Sequence, residues 1–246
     1  LKTSLEQLNI SLLVYLEKPE DIIPDIVKSH GIRNIFLQNE WTRDETKVLD
    51  AVIAAVPALT NFESHYGQFL FHPEDIPFST AHDIPQIFTQ FRKKCEKYAK
   101  IKSIMPIPDA MPKSNLLENK TTIPCLNALG LSDFEKDART AFLFKGGEQS
   151  ALERIQHYFW ETKKLAYYKK TRNGLVGIDY SSKLSAWLAN GSISAKTIYW
   201  EVKRFEKEET KNQDTYWLIF ELIWRDFFKY ISLKHGDAIF KQGGIL

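Results

Sequence analysis

The sequence has few of the residues that mark secreted or metal-bound proteins. It contains two cysteines in 246 residues, Cys95 and Cys125, which lie 30 positions apart in no recurring pattern. We expect both to be free thiols, because disulfide-stabilised domains use cysteine densely and in oxidising compartments. The six histidines are scattered and match no metal-ligand spacing such as HExxH. We therefore expect no metal site.

Long apolar runs are also missing, and aromatic residues are abundant instead. No run reaches the roughly 18 apolar residues that a membrane-spanning helix needs, so we expect no membrane partner. The chain has 16 Phe, 10 Tyr and 6 Trp, and five of the six Trp follow residue 159. The aromatic content is therefore high, and the tryptophans are unevenly distributed along the chain.

The net charge of +2 hides a difference between the two parts of the chain. Residues 1–150 carry 17 basic and 20 acidic side chains, whereas residues 151–246 carry 16 and 11. A polyanion would bind the second part. A solvated basic surface without a ligand is the alternative explanation.

The first part of the chain alternates strand and helix patterns. The first two are a buried strand at 10–16 and a helix within 19–30, which begins near Pro24 and ends at Gly31. A second strand follows at 32–37. The last element is a helix up to Val56, which begins with a Thr42-x-x-Glu45 capping box. This alternation predicts a parallel α/β unit.

The pattern changes after a helix predicted at 83–100. Residues 101–150 hold four prolines and the Gly146-Gly147 pair, which predicts an irregular connector that contains a domain boundary. Only helical periodicity follows, with helices predicted at 148–168, 183–190, 194–209 and 213–235. The fold class is therefore an α/β domain followed by an all-α domain.

The stretch from Gly174 to Ser194 concentrates hydroxyl groups around a turn that follows Gly177. Its members are Tyr180, Ser181, Ser182, Ser185 and Ser192, with Lys183 among them. Hydroxyls and unpaired N–H groups at the start of a helix suit an anion such as phosphate. The alternative is a helix with an ordinary serine N-cap.

Two further groups of charges stand out. Glu221 and Arg225 lie among aromatic residues, and Glu221 shares a helix face with Trp224, three positions on. The alternatives are a core Trp224 and an i,i+4 pair of Glu221 with Arg225. A basic run without any acid between Glu161 and Asp179 suits a phosphate backbone or a solvated face; it comprises Lys163, Lys164, Lys169, Lys170 and Arg172.

Three runs in this part resemble the cryptochrome/photolyase family, most closely its DASH branch. They are GGEQSALERIQHYFW, YYKKTRNGLVGIDYSSKLSAWLANGSIS and NQDTYWLIFELIWRDFFKY, followed by IFKQGG. Residues 1–100 resemble more weakly the later part of that family's antenna domain. The resemblance implies an incomplete Rossmann-like α/β antenna domain at 1–125, a connector at 126–147 and an incomplete all-α FAD-binding domain at 148–246. Because the family extends further at both ends, the chain resembles an internal fragment, which we expect to hold FAD weakly and to be inactive alone.

The resemblance also implies ligands for particular residues. The cofactor is FAD, with its pyrophosphate at Ser181, Ser182, Lys183, Leu184 and Ser185 and further contacts from Tyr168 and Arg225. A second antenna chromophore, a folate or a deazaflavin, is possible in the α/β domain. A flipped pyrimidine dimer would stack on Trp224 and bond to Glu221, while Arg172, with Lys169 and Lys170, would contact the DNA.

The function that the resemblance implies for an intact parent protein is that of a deoxyribodipyrimidine photo-lyase. Reduced FAD would split cyclobutane pyrimidine dimers after absorbing blue light, with single-stranded DNA favoured because base flipping costs least there. The alternatives are a blue-light photoreceptor or nucleic-acid-binding regulator without repair, and a flavin-free fragment that binds nothing. Apart from the family, the pattern also fits a nucleotide-binding α/β protein with its ligand beyond strands 10–16 and 32–37. The expected location is the cytoplasm or another reducing compartment with access to DNA.

Overall fold

A computed structural model describes residues 1–135 and 137–245. Its first elements are α1 (Lys2–Gln7), α2 (Pro19–His30), β1 (Asn34–Gln38), α3 (Arg43–Ala55) and β2 (Asn61–His65). The two strands pair in parallel, with Asn34 opposite Asn61 and Gln38 opposite His65. Parallel neighbours need a crossover connection, which α3 provides. The predicted parallel α/β unit is therefore present, and its second strand is β2, which we did not predict.

The strand predicted at 10–16 is wrong. This segment is extended, half-buried at 10–14 and exposed at Tyr15 and Leu16, and it pairs with no strand. Side chains of the connector bond to it instead: the Val14 N–H donates to Thr121 Oγ1 at 2.9 Å, and Asn119 Nδ2 donates to the Leu12 carbonyl at 2.7 Å. The apolar run lacks the neighbouring strand that would bury it on both faces. The alternative that we considered, a nucleotide site beyond the ends of strands at 10–16 and 32–37, therefore lacks one of its two strands.

Two predicted helix starts also need correction. Helix α2 begins at Pro19 rather than near Pro24, because Pro19 occupies the first turn, where a missing N–H costs nothing. Gly31 ends this helix in the left-handed conformation at φ 59°, as predicted. Thr42 is the N-cap residue of α3, but its hydroxyl bonds to the Glu45 carboxylate and not to the backbone. Neither of the two bonds of the predicted capping box is therefore formed.

The remaining elements are helical. They are α4 (Phe88–Tyr98), α5 (Glu148–Ile155), which continues as a π-helical segment (Gln156–Glu161), a 3-10 turn (Lys164–Tyr167), α6 (Tyr168–Thr171), α7 (Ser185–Ala189), α8 (Ala195–Glu208), α9 (Gln213–His235) and a 3-10 turn (Gly236–Phe240). The predicted helices at 194–209 and 213–235 are confirmed. Those at 83–100, 148–168 and 183–190 are shorter or interrupted. Within the described ranges, no helix combines the length and apolarity of a membrane span.

The connector is irregular, as predicted. Between α4 and α5 the described residues contain only short 3-10 turns, at Lys113–Asn115 and Asn127–Leu129. Cys95, in α4, and Cys125, between α4 and α5, are both free, which confirms that prediction. Burial raises the pKa of the Cys95 thiol to about 12, so this thiol stays protonated and unreactive. The domain boundaries at 125 and 147 stay a prediction.

Helix α9 is the centre of the hydrophobic core. Its buried side chains pack with those of α4 and α8 and with three residues that follow β2; the members include Leu222, Phe227 and Tyr230 of α9, Phe88 and Phe91 of α4, Val202 and Phe205 of α8, and Phe69, Leu70 and Phe71. The segment after β2 thus shares one core with the helices. Helix α9 therefore joins the α/β part to the helical part.

Polar contacts hold the same segment on α9, and we call them the 68–71 clasp. The fully buried Asp226 carboxylate accepts hydrogen bonds from the N–H groups of Leu70 at 3.0 Å and Phe71 at 2.8 Å. The Tyr230 hydroxyl donates to the Phe71 carbonyl at 2.6 Å. Arg225 donates to the carbonyl of Gln68 at 2.7 Å. The clasp satisfies backbone groups that the core would otherwise leave unpaired.

Titration of Asp226 predicts a pH-dependent stability. Burial raises the pKa of Asp226 to about 7, against the lowering effect of its bonds from Leu70 and Phe71. An unfolded Asp titrates near pH 4, so between about pH 4 and 7 the folded state holds a proton that the unfolded state has released. As the pH rises from about 4 to 7, we therefore expect the free energy of unfolding of the wild type to fall by roughly 3–4 kcal/mol more than that of Asp226→Asn. The variant is the reference because its side chain cannot titrate. Urea unfolding of both proteins at several pH values measures the difference, and a constant difference would contradict it.

Candidate functional site

The hydroxyl-rich turn forms a concave backbone surface. Lys183 has the left-handed φ of 61°, and Leu184 after it is right-handed at φ −77° and ψ −8°. When a residue in the left-handed backbone conformation is followed by one in the right-handed conformation, their neighbouring N–H groups point toward one place. Such a concave group of backbone donors is called a nest, and it can bind an anion. Helix α7 begins only at Ser185 and has five residues, so the nest, rather than the predicted helix start, provides the donors.

A buried arginine on α5 holds this turn from behind. Arg154 is 2% exposed and lies between the rings of Phe144 and Tyr158, with 4.9 Å from its guanidinium carbon to each ring centroid. Its guanidinium donates to the carbonyls of Ser182 (3.0 Å), Ser181 (2.9 Å) and Ile178 (3.1 Å) and to Asp179 Oδ1 (2.6 Å). Four acceptors offset the cost of burying its charge.

These bonds also determine where the amide groups of the turn point. In a trans peptide the C=O and the N–H point in opposite directions, and the described residues contain no cis peptide. Because Arg154 binds the carbonyls of Ser181 and Ser182, the N–H groups of Ser182 and Lys183 face away from it. Arg154 therefore directs two N–H groups away from itself, and one of them, that of Lys183, belongs to the nest.

The sequence contained a signal for Arg154 that our prediction missed. Ala151, Ile155 and Tyr158 are buried and lie at helical spacing on one stripe of α5 and the segment after it, and Arg154 falls inside that stripe. A charge within an apolar stripe indicates a buried, paired group. Its partners lie 24 to 28 residues away and carry no such signal.

Tyr168, a predicted cofactor contact, does lie at the turn. It is buried on α6, and its hydroxyl lies near the side chain of Ser182. Burial raises the pKa of Tyr168 to about 12, so the hydroxyl keeps its proton at neutral pH. The structure thus brings together Tyr168 and the buried Ser182, with Ser181 and Lys183 half-buried and Ser185 exposed beside them.

A histidine and two carboxylates support the start of the turn. Asp179 Oδ2 lies 3.3 Å from His157 Nε2, and His157 Nδ1 lies 3.1 Å from Glu161 Oε2. Burial opposes ionisation of Asp179, but hydrogen bonds from Arg154 and His157 outweigh it and lower the pKa of this carboxyl. Asp179 therefore stays charged and keeps its bond to Arg154. His157 belongs to the π-helical segment, a distortion that often accompanies functional sites.

Glu221 and Arg225 do not form the i,i+4 pair that we considered. Glu221 pairs with Arg172, at 2.8 Å between Oε1 and Nη1, and both side chains are 30% exposed. Arg225 donates to the carbonyls of Gln68 and Leu188, the latter at 3.3 Å. Burial lowers the pKa of the Arg225 guanidinium, although the neighbouring Asp226 acts in the opposite direction. Arg225 thus links the 68–71 clasp to the end of α7.

Trp224 belongs to a stack of three aromatic rings. Its centroid lies 3.5 Å from that of Phe88, with 11° between the planes, and 5.3 Å from that of Phe228, at 24°. Phe88 is buried, whereas Phe228 is 63% exposed. Trp224 is therefore partly a core residue, as the alternative holds. The exposed end of the stack is Phe228, which we did not predict.

The basic run lies against a second tryptophan that our prediction missed. Lys169 Nζ is 4.3 Å, and the Arg172 guanidinium carbon 5.7 Å, from the centroid of the Trp217 ring. Lys169 also donates to Gln213 Oε1 at 2.9 Å, and the backbone N–H of Lys170 donates to Asp214. The Lys170 side chain is exposed. The run is thus a partly engaged cationic surface beside an aromatic ring.

Comparison with known proteins covers the whole chain. A family model described as DNA photolyase matches residues 1–113. Proteins named Cryptochrome DASH from Xenopus laevis and Gloeobacter violaceus are 42% and 43% identical, with 100% of this chain and 47% and 49% of those proteins covered. The chain spans about half the length of the curated relatives it matches.

Solved structures agree with this result. The Synechocystis sp. PCC6803 cryptochrome superposes with a TM-score of 0.87 at 40% identity, covering 99% of this chain and 50% of that one. A bacterial class III photolyase from Agrobacterium tumefaciens gives a TM-score of 0.71 at 19% identity, covering 97% and 50%. The second likeness shows the fold alone.

The role of Arg154 predicts a large effect of a small substitution. Arg154→Lys keeps the charge but loses the planar fork, so some of its four acceptors lose their donor. We expect the free energy of unfolding, measured in urea, to fall by about 2–4 kcal/mol. The control is Arg204→Lys, where a 49% exposed side chain pairs with Glu201 and the expected change is below about 1 kcal/mol. Equal small effects would contradict the role given to Arg154.

Proposed function

The chain belongs to the cryptochrome/photolyase family, and from this we propose that the protein binds FAD and repairs cyclobutane pyrimidine dimers under blue light. The observation that carries the proposal is the Arg154-supported turn, which presents amide and hydroxyl donors where the family resemblance expects the FAD pyrophosphate. Single-stranded DNA is the favoured substrate, because extruding a base from it costs least. A second antenna chromophore, a folate or a deazaflavin, and a location in a reducing compartment belong to the same proposal.

The residues of the turn fit a pyrophosphate. The nest at Lys183 and Leu184 provides backbone donors, and Ser181, Ser182 and Ser185 provide hydroxyls around it. FAD, when bound, supplies the light absorption and the electron transfer that no side chain can supply. The contribution of the protein is to bind and orient it. The Arg225 guanidinium, bonded to the Leu188 carbonyl at the end of α7, supports the turn in this proposal.

The dimer would be bound by one face of α9. Glu221 offers a carboxylate that its 2.8 Å contact with Arg172 holds in place. Beside it, Trp224 and the exposed Phe228 offer aromatic surface for stacking. Lys169 and Lys170, one helical turn before Arg172, would neutralise phosphates of the same strand.

A photoreceptor or nucleic-acid-binding regulator without repair is the second candidate. The observation that favours it is the contact of Phe88 with Trp224, since a ring 3.5 Å away occupies one face of the expected stacking platform. The same cofactor site would serve both functions. Only the reaction with a dimer distinguishes them.

The repair assay uses the intact parent protein that the family resemblance implies, with FAD reduced in place, and a single-stranded oligonucleotide that contains one thymine dimer. Blue light should restore the thymines, which chromatography of the oligonucleotide measures. Trp224→Ala should weaken dimer binding by about 1–3 kcal/mol and leave the flavin content unchanged. The control is Trp200→Ala on α8, whose ring nitrogen donates to the Lys102 carbonyl. Bound FAD without repair would favour the photoreceptor, and loss of flavin from Trp224→Ala would make Trp224 a core residue only.

Neutralising the basic run should weaken binding to DNA equally whether or not the DNA contains a pyrimidine dimer. For Lys169→Gln with Lys170→Gln we expect equal losses of affinity for damaged and undamaged strands. The slope of log affinity against log salt should decrease by up to about one for each phosphate that the variant no longer neutralises. The matched control is Lys113→Gln with Lys120→Gln in the connector, which removes the same charge elsewhere. An unchanged slope would mean that the basic run is only a solvated surface.

A further inference from the structure

Two exposed apolar residues form the tip of the loop between the basic run and the hydroxyl-rich turn. Leu175 is 88% exposed and Val176 is 91% exposed. Single exposed apolar side chains are common, but two adjacent ones at a projecting tip give a small apolar surface with no core function. Neither the proposed cofactor site nor the proposed dimer contacts use this tip.

The loop is shaped by specific residues at its base. A side chain on Gly174 would place its Cβ 2.9 Å from Tyr180 Cβ, so only glycine allows this close approach. The Gly174 N–H donates to the Thr171 carbonyl at 2.8 Å, and Gly177 has a φ of +82°. On the ring of Tyr180 lies Lys183 Nζ, 3.5 Å from its centroid. The base is therefore closed by these contacts, and the apolar side chains of Leu175 and Val176 are exposed beyond it.

The surroundings of the tip are cationic. Lys169, Lys170 and Arg172 precede it, and Lys183 lies at its base. Two acids lie near these basic residues, and each is paired: Asp179 with Arg154, and Glu221 with Arg172. An apolar tip within a basic surface is complementary to a strand that has anionic phosphates outside and apolar base faces inside. Charge complementarity thus favours a nucleic acid as the occupant.

We propose that Leu175 and Val176 form a wedge that enters between neighbouring bases of the bound strand. This inference rests on the proposed function, because the basic run must hold the strand. Apolar side chains inserted at a base step unstack it and bend the strand. Arg172 lies three residues before Leu175 and pairs with Glu221, so the step that the wedge opens lies beside the proposed dimer contacts. The wedge would lower the cost of extruding the nucleotide that α9 receives.

The test compares the wild type with the double variant Leu175→Ala, Val176→Ala, which keeps both glycines and every charge. The probe is a single-stranded oligonucleotide with 2-aminopurine between adenines, whose fluorescence rises when the base is unstacked. We expect the wild type to raise the fluorescence on binding and the variant to lose most of that rise. Affinity should fall roughly tenfold, the scale of one or two apolar side chains, with the salt slope unchanged. The control Leu59→Ala removes a 93% exposed leucine in the loop between α3 and β2 and should change neither quantity.

The outcomes separate the wedge from the proposed function. A variant that binds and raises the fluorescence as the wild type does would overturn the wedge and leave DNA binding intact. A wild type that binds no oligonucleotide would overturn both. If the variant instead loses binding to vesicles of anionic phospholipid, or loses self-association in sedimentation, while its fluorescence response persists, the tip is a membrane or protein contact and the wedge is wrong.

Discussion

The candidate site depends on one buried guanidinium. Arg154 binds the carbonyls of Ser181 and Ser182 and so turns the following amide groups to the opposite side. A buried charge is costly unless its donors are satisfied, and here three carbonyls and Asp179 satisfy them. The hydrogen bonds that offset the cost of burying the charge of Arg154 therefore also determine the backbone geometry of the nest.

Helix α9 connects this site to the rest of the fold. One part of its surface carries Asp226 and Tyr230, whose bonds to Leu70 and Phe71 fix the segment after β2. Another part carries Glu221 and the Trp224 stack. Because a single rigid helix holds both, the position of the proposed substrate contacts is set by the clasp. A change in the clasp is therefore expected to move the binding face as well.

Sequence patterns predicted which segments form helices better than they predicted which residues each segment contacts. The strong helical period over 213–235 led to a correct helix, whereas the helix predicted at 183–190 covers only Ser185–Ala189. The apolar run at 10–16 did not form the predicted strand, because burial of a strand depends on a neighbour that the pattern does not reveal. For Arg154 and Trp224 the decisive partners are backbone carbonyls and the distant Phe88, which leave no local signal.

The most direct test of the central claim is a ¹H–¹⁵N chemical-shift titration of the protein with FAD and, separately, with riboflavin, which lacks the pyrophosphate. Our account predicts that the amide signals of Ser182 and Lys183 shift with FAD and stay in place with riboflavin, and that Arg154→Lys abolishes the difference. Equal shifts with both flavins, or FAD shifts confined to other residues, would contradict the assignment of this turn as the pyrophosphate site.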